Sequence, residues 1–221
     1  MNDKVKYFMK TNKLLKKVSS KSFFYTQDFE YYPVKPHKKN ILFLTRLWDP
    51  GEAKSQRSVE LRTRINKTRI ECINRCRREF GADFTGGLFI ENFASKNHPE
   101  LIMDNGLTNK ASFLQAVKDH AICIATTGLH NSIGWKMGEY VAASRGIVSE
   151  PLKFELPGNF SNEQNYYEFE TADQVVEKIE KLRSDESDLL RMMNNNFHYY
   201  NNFVKPENLV LNSLLTVLNN S

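Results

Sequence analysis

The chain has 221 residues, 40% of them hydrophobic and 26% charged, with a formal net charge of +5 and an isoelectric point near 9.0. This composition is that of a globular protein with a full core, either one domain with extensions or two small domains. No apolar run approaches the roughly 20 residues that span a bilayer, and the first residues lack the apolar centre of a secretory signal. The basic charge suits an anionic ligand, an anionic membrane surface or nucleic acid, and does not choose among them.

Residues 1–38 form a basic lead that ends in an extended, proline-containing linker over residues 31–39. Within the lead, apolar residues recur at roughly helical spacing among lysines: Val5, Phe8, Met9, Leu14 and Leu15. Two interpretations stay open. In the first, residues 1–20 form a helix that lies on anionic lipid at the inner face of the cell membrane. In the second, they form a helix that docks on this or another domain.

Strands and helices alternate over residues 39–221, which we expect to form one domain. The predicted strands cover residues 40–44, 84–90, 121–125, 146–149 and 166–169. The predicted helices cover residues 58–80, 109–120, 132–143, 186–200 and 206–219, and a capping box at 171–174 opens one more helix that ends at 182. This order predicts an α/β fold with a mostly parallel sheet flanked by helices.

Two other features of these elements carry expectations. The second strand contains a glycine pair, Gly86 and Gly87, which indicates a bulge or a close approach of another group to the backbone. The helix over residues 58–80 is basic, but acids are interleaved and aromatic platforms are lacking, so we expect most of its charges to lie on a solvated face and no nucleic acid to bind.

The three cysteines, Cys72, Cys76 and Cys123, make an odd count without a CxxC pair. Cys72 and Cys76 lie one helical turn apart, which could suit a metal, but no second ligand pair accompanies them. We therefore expect free thiols in a reducing cytoplasm and no metal site.

The most informative stretch is AICIATTGLHNSIGWKMGEYVAASRGIVSEPL, residues 121–152. Strand, loop, helix and strand in this order form a βαβ unit, which puts the loop at the carboxyl end of a parallel strand, where ligands of open α/β sheets bind. If Asn131 or Ser132 caps the helix, the backbone N–H groups of residues 132–135 face the loop and form an anion site. Ile133 lies in that first turn, and Gly134 lets a phosphate approach closely because it has no Cβ.

Charged side chains around this loop are further candidates. Glu139, two turns into the helix, is placed to accept both hydroxyls of a ribose, and the alternative is a solvent-exposed carboxylate. Arg46, at the end of the first strand, is the best-placed cation because the carboxyl ends of parallel strands share one crevice. The remaining candidates are His130 at the loop tip and the lysines Lys54, Lys110 and Lys136. We expect Trp135 to pack in the core.

Paired carboxylates are not evident, and the HExxH, GxSxG and P-loop motifs are absent. The sequence therefore indicates a binding site and identifies no catalytic residue.

With these residues in view, the chain resembles the C-terminal, donor-binding half of a GT-B glycosyltransferase of the bacterial surface-polysaccharide type. The segments that carry the resemblance are ILFLTRLWDP, GLHNSIGWKMGEYVAASRGIVSE and NYYEFETADQVVEKIEKL, and it covers roughly residues 39–185. The resemblance implies a Rossmann-like domain and transfer of a sugar from a nucleotide-diphosphate sugar to a surface-glycan or lipid-linked acceptor. It implies no cofactor and no required metal.

Carried over by position, Glu139 would bind the nucleotide ribose, and Arg46 and the backbone of residues 131–134 would hold the diphosphate. The family's motif has two glutamates, and the first of them falls on Asn131 here. The family's lysine lies closer to the arginine than Lys54 does, so Lys54 matches the pattern less well.

A GT-B enzyme also has an N-terminal domain that binds the acceptor, and 38 residues cannot form one. We therefore expect a separate acceptor-binding subunit, a homo-oligomer, or a truncated or split product. The alternative is a non-catalytic nucleotide-sugar-binding module or regulatory subunit of a larger glycosyltransferase.

Overall fold

A computed structural model describes residues 24–103 and 105–219 of the chain, except for the side chains of residues 105 and 108. Its strands are β1 (Ile41–Thr45), β2 (Phe84–Leu88), β3 (Ile122–Ala125), β4 (Gly146–Ser149) and β5 (Tyr167–Glu168). Its α-helices are α1 (Thr26–Phe29), α2 (Gln56–Phe80), α3 (Asn92–Asn97), α4 (Asn105–Thr108), α5 (Lys110–Asp119), α6 (Trp135–Ala142), α7 (Ala172–Ser184), α8 (Glu186–Tyr199) and α9 (Pro206–Asn219). A π-turn over Tyr200–Val204 joins α8 to α9.

The five strands form one sheet in the order β2-β1-β3-β4-β5, and every pair of neighbours is parallel. The predicted α/β fold with a parallel sheet is therefore confirmed, and so is the βαβ unit, because β3 and β4 are neighbours joined through α6. All five predicted strands and all six predicted helices are present, with bounds that differ by up to three residues. The short helices α1, α3 and α4 were not predicted.

Both faces of the sheet are buried, as parallel strands connected by helices require. On one face, Ile41 and Phe43 pack with α2, α7 and the first part of α8. On the other, Leu42 and Leu44 pack with α5, α6 and the end of α8. This alternation along β1 explains why the sequence shows a continuous apolar run there.

The described residues that precede β1 are attached to this domain. Residues 1–23, where the basic helix is predicted, lie outside the described ranges. The predicted linker has no regular structure, but the Tyr31 N–H donates to the carbonyl of Ala142 (3.2 Å) and Arg145 donates to the carbonyl of Tyr32 (3.0 Å). The division at residue 38 stays a prediction. None of the described helices is long and apolar enough to cross a membrane.

The glycine pair of β2 lies where neighbouring atoms approach the backbone closely, as predicted. A Cβ at Gly87 would lie 2.5 Å from the carbonyl oxygen of Leu101, and a Cβ at Gly86 would lie 2.1 Å from the ring of Phe84.

We expect Gly87→Ala to lower the free energy of unfolding by about 1–3 kcal/mol, because a backbone oxygen must shift. Urea unfolding monitored by circular dichroism measures this change.

The matched control is Gly138→Ala in α6, where nothing lies within 4 Å of the added Cβ. There alanine removes the entropic disadvantage of a helical glycine, and we expect a gain of about 0.5–1 kcal/mol. Equal effects of the two substitutions would contradict the close approach at Gly87.

Candidate functional site

The order of strands reverses between β1 and β3. The chain adds β2 on one side of β1 and then returns to add β3 on the other. Ligands of open α/β sheets bind outside the carboxyl ends of the strands at such a point. A cavity of about 1240 Å³ opens here, between the ends of β1 and β3, the start of α6, and segments near both ends of the described chain.

The loop before α6 differs from the prediction at the start of the helix. The helix begins at Trp135 with Gly134 as its N-cap, so neither Asn131 nor Ser132 caps it. The physical reason is a tight turn upstream: the Ser132 N–H donates to the carbonyl of Leu129 (3.1 Å), and the Ser132 carbonyl accepts from the N–H of Gly128 (2.8 Å). These bonds hold Ser132 in the turn.

The start of α6 nevertheless adjoins the cavity. Ser132, Ile133, Gly134 and Lys136 line its wall, so the positive end of the helix dipole lies beside it. Gly134 leaves open space, since the nearest atom to an added Cβ would be the carbonyl oxygen of Thr126 at 4.0 Å.

Arg69 holds the two strand ends together. Its guanidinium donates to the carbonyl of Arg46 (2.8 Å) after β1, and to the hydroxyl of Thr126 (3.1 Å) and the carbonyl of Thr127 (3.1 Å) after β3. The side chain lies in the cavity wall, and the residue is only 5% exposed. Burial lowers the pKa of Arg69 to about 10, opposed by the charge of Glu150 and assisted by that of Arg46.

Arg69 is an exception to the prediction that most charges of its helix are solvated, since it is buried. A signal was present, because Ile65, Cys72 and Cys76 recur with Arg69 at three- and four-residue spacing and all of them are buried. Position 69 therefore falls within the apolar stripe.

Lys136 brings a second buried cation to the same wall. Its ammonium donates to the carbonyl of Leu44 and lies over the rings of Phe89 (4.7 Å) and Phe113 (5.7 Å). Burial, assisted by the positive charge of Arg69 and opposed by the negative charge of Glu139, lowers the pKa of Lys136 to about 7. Among the ion pairs formed by described residues, none joins Lys136 or Arg69 to a carboxylate.

Glu139 and Lys110 form an ion pair in the cavity wall. The side chain of Glu139 is only 10% exposed, so the alternative of a solvent-exposed carboxylate is wrong. Arg46 also lines the cavity, half-exposed, with its Nε 3.6 Å from a carboxylate oxygen of Glu91. Arg46 and Glu139 therefore line the same cavity, as expected. Their roles toward a ligand stay predictions.

The other predicted residues lie elsewhere. His130 and Asn131, both with left-handed backbone (φ of 58° and 59°), line a separate cavity of about 480 Å³ together with Arg57 and Arg64. Lys54 is exposed and lines neither of these two cavities. The expectation that Trp135 packs in the core is wrong, since this residue is 91% exposed at the cavity rim.

The three cysteines are buried free thiols, and burial raises their pKa values, to about 12 for Cys76 and Cys123. They are therefore inert side chains of the core. Within the described residues, no group of three or more His, Cys, Asp or Glu side chains could hold a metal ion.

Fold and cavity together define a Rossmann-like α/β domain with a cationic pocket at its switch point. Among solved structures, it is similar to the C-terminal domain of a glycosyl transferase group 1 family protein (LpcC) from Francisella tularensis, with a TM-score of 0.57 and 12% identity. The match covers 83% of this chain and 99% of that one. No family model and no curated protein matches the chain. The resemblance drawn from the sequence is thus confirmed for the fold of a glycosyltransferase C-terminal domain.

Proposed function

We propose that the chain binds a nucleotide-diphosphate sugar in the large cavity and is the donor-binding part of a glycosyltransferase. The observation that carries this proposal is the convergence of Arg46, Arg69, Lys136 and the start of α6 on one wall. Two of these cations are buried without a carboxylate within ion-pair distance among the described residues, and a diphosphate supplies the missing negative charge. Glu139 lies on the same helix as Lys136, where it is placed to accept the ribose hydroxyls.

In this proposal the chemistry of the chain is electrostatic. Arg46, Lys136 and the helix start stabilise the charge that develops on the leaving diphosphate, so a divalent metal is not required. The acceptor is a surface glycan or a lipid-linked glycan, and another domain or subunit of the enzyme supplies its site.

A second candidate is a non-catalytic nucleotide-sugar-binding module. It is favoured by one observation: in the described part of the cavity wall the one acidic side chain is Glu139, which Lys110 neutralises. No carboxylate there is free to act as a general base. This candidate predicts the same binding without sugar transfer, whatever acceptor or partner is supplied.

The proposal is tested by calorimetric titration of the full chain with UDP, GDP, ADP, CMP and dTDP, and with pyrophosphate alone. We expect one nucleotide to bind, and Arg46→Met to weaken both that nucleotide and pyrophosphate about 10- to 100-fold, the loss of one charge-assisted hydrogen bond. Glu139→Gln should weaken binding of the nucleotide, because it removes the ribose contact. It should not weaken binding of pyrophosphate, because it adds net positive charge.

The matched controls are Arg78→Met and Glu79→Gln, which change exposed residues of α2. They should leave both affinities unchanged. Absence of binding by every nucleotide and by pyrophosphate would overturn the proposal, and equal weakening of both ligands by Glu139→Gln would remove the ribose role.

A further inference from the structure

Trp135 is the most exposed large hydrophobic side chain among the described residues. It is 91% exposed, while the next, Leu218, is 70% exposed. Tryptophan is highly buried on average in folded proteins, so an indole that stands free at the rim of a cavity is an unusual feature. Trp135 is the first residue of α6, directly after the N-cap Gly134, and it lines the large cavity. The ring is therefore open to a ligand at the point where the proposed diphosphate site begins.

The order of groups in a nucleotide-diphosphate sugar determines which of them can reach Trp135. The ribose lies on one side of the diphosphate and the donor sugar lies on the other. In the proposed function, on which this inference rests, Glu139 holds the ribose and the start of α6 holds the diphosphate. The donor sugar then lies beyond the start of the helix, on the side away from Glu139.

The direction of helical side chains brings the indole to that side. Each Cα–Cβ bond of an α-helix points toward the N-terminus, so a side chain covers the turn that precedes its own Cα. At the first residue of α6 the indole thus extends past the start of the helix, on the side of the cavity that Gly128 and Ser132 line. Trp135 and Glu139 are four residues apart and share one face of the helix, so one ligand can contact both.

The opposite end of the cavity suits the nucleobase. Lys110, which pairs with Glu139, lies over the ring of Phe29 (5.0 Å). Phe29 lines the cavity, and so does Ala142, about one turn further along α6 than Glu139. These apolar groups lie on the far side of Glu139 from Trp135, so the nucleobase and the donor sugar have separate ends of the cavity.

We infer that the indole of Trp135 is a stacking platform for the donor sugar and selects a hexopyranose with equatorial hydroxyls, such as glucose. In such a sugar the ring faces present C–H groups, which carry partial positive charge, and the face of an indole is the negative part of its quadrupole. A sugar with a charged group on that face stacks less well. Because Trp135 lies at the open rim, the other face of the sugar stays accessible to an acceptor.

Calorimetric titration of the full chain with UDP-glucose, GDP-glucose, ADP-glucose and dTDP-glucose, each compared with its parent diphosphate, tests this inference. For the conjugate that binds the wild-type chain, Trp135→Ala should weaken binding about 3- to 10-fold, the loss of one aromatic stacking contact, and leave the parent diphosphate unchanged. Trp135→Phe keeps an aromatic ring and should lose less. The control Phe154→Ala removes an exposed aromatic side chain that lines neither cavity, and it should change neither affinity.

Fluorescence gives a second readout that does not depend on affinity. The chain has two tryptophans, Trp48 and Trp135, and the exposed indole of Trp135 is open to quenching by acrylamide. At saturation the glucose conjugate should protect the wild-type chain from quenching more than the parent diphosphate does. Trp135→Phe should remove this difference.

Equal weakening of the conjugate and the diphosphate by Trp135→Ala would overturn the inference, because the ring would then contact the nucleotide itself. Unchanged affinity for both would overturn it as well, and so would a diphosphate that binds while its glucose conjugate does not. In these three cases the proposed function stands. If neither a diphosphate nor a conjugate binds the wild-type chain, the proposed function fails and this inference fails with it.

Discussion

Replacing Arg69 by methionine should lower the free energy of unfolding by about 2–5 kcal/mol. The substitution leaves the carbonyls of Arg46 and Thr127 and the hydroxyl of Thr126 without their donor, and each buried unsatisfied group costs about 1–3 kcal/mol. It also frees the ends of β1 and β3 from each other, so pyrophosphate affinity should fall with stability. Urea unfolding and calorimetric titration measure the two effects.

Two further variants sharpen this prediction. Arg69→Lys keeps the charge but cannot reach three partners, so its loss of stability should be intermediate. Arg78→Met removes an exposed arginine from the same helix and should change the free energy of unfolding by less than about 0.5 kcal/mol. If Arg69→Met were as stable as Arg78→Met, the bridging role would be wrong.

Lys136 should make the stability of the ligand-free protein rise with pH. Its pKa is about 7 in the folded chain and 10.5 when unperturbed, so between these values the unfolded state holds a proton that the folded state has lost. The unfolded state binds more protons in this window, and stability therefore increases with pH, by about 2 kcal/mol from about pH 7 to about pH 9. Urea unfolding across this range measures the slope.

Lys136→Met is the comparison for this slope. Methionine has a similar length and no titrating group, so the variant should lack the contribution while all other groups titrate as in the wild type. The difference between the two stability curves isolates Lys136. Parallel curves would show that the ammonium keeps its proton in the folded chain up to pH 9.

Local sequence signals predicted the fold well because they act within a few residues. The apolar run Gly146–Ser149 is a strand with the predicted bounds, Pro206 opens its helix at the predicted position, and Thr171 accepts from the N–H of Gln174 in the predicted capping box. Each signal depends on chemistry that neighbours in sequence supply.

The site was predicted less completely because tertiary contacts shape it. Ser132 resembles an N-cap in sequence, but hydrogen bonds of the turn with Gly128 and Leu129 compete for it, and the helix starts three residues later. Arg69 looks like its neighbours Arg62 and Arg64, and its role depends on strand ends that lie far from it along the chain. Only the assembled sheet brings those ends to its guanidinium.

The large cavity has a wall made by residues that precede the sheet. Phe24, Thr26 and Phe29 contribute side chains to it, and Glu30 is tied to the far end of the chain by Lys205 (3.3 Å) and the Tyr200 hydroxyl (3.1 Å). Occupancy of the cavity and docking of this segment are therefore thermodynamically linked. By reciprocity, any change that shifts the docking of residues 24–30 alters ligand affinity by the same factor by which the bound ligand alters that docking.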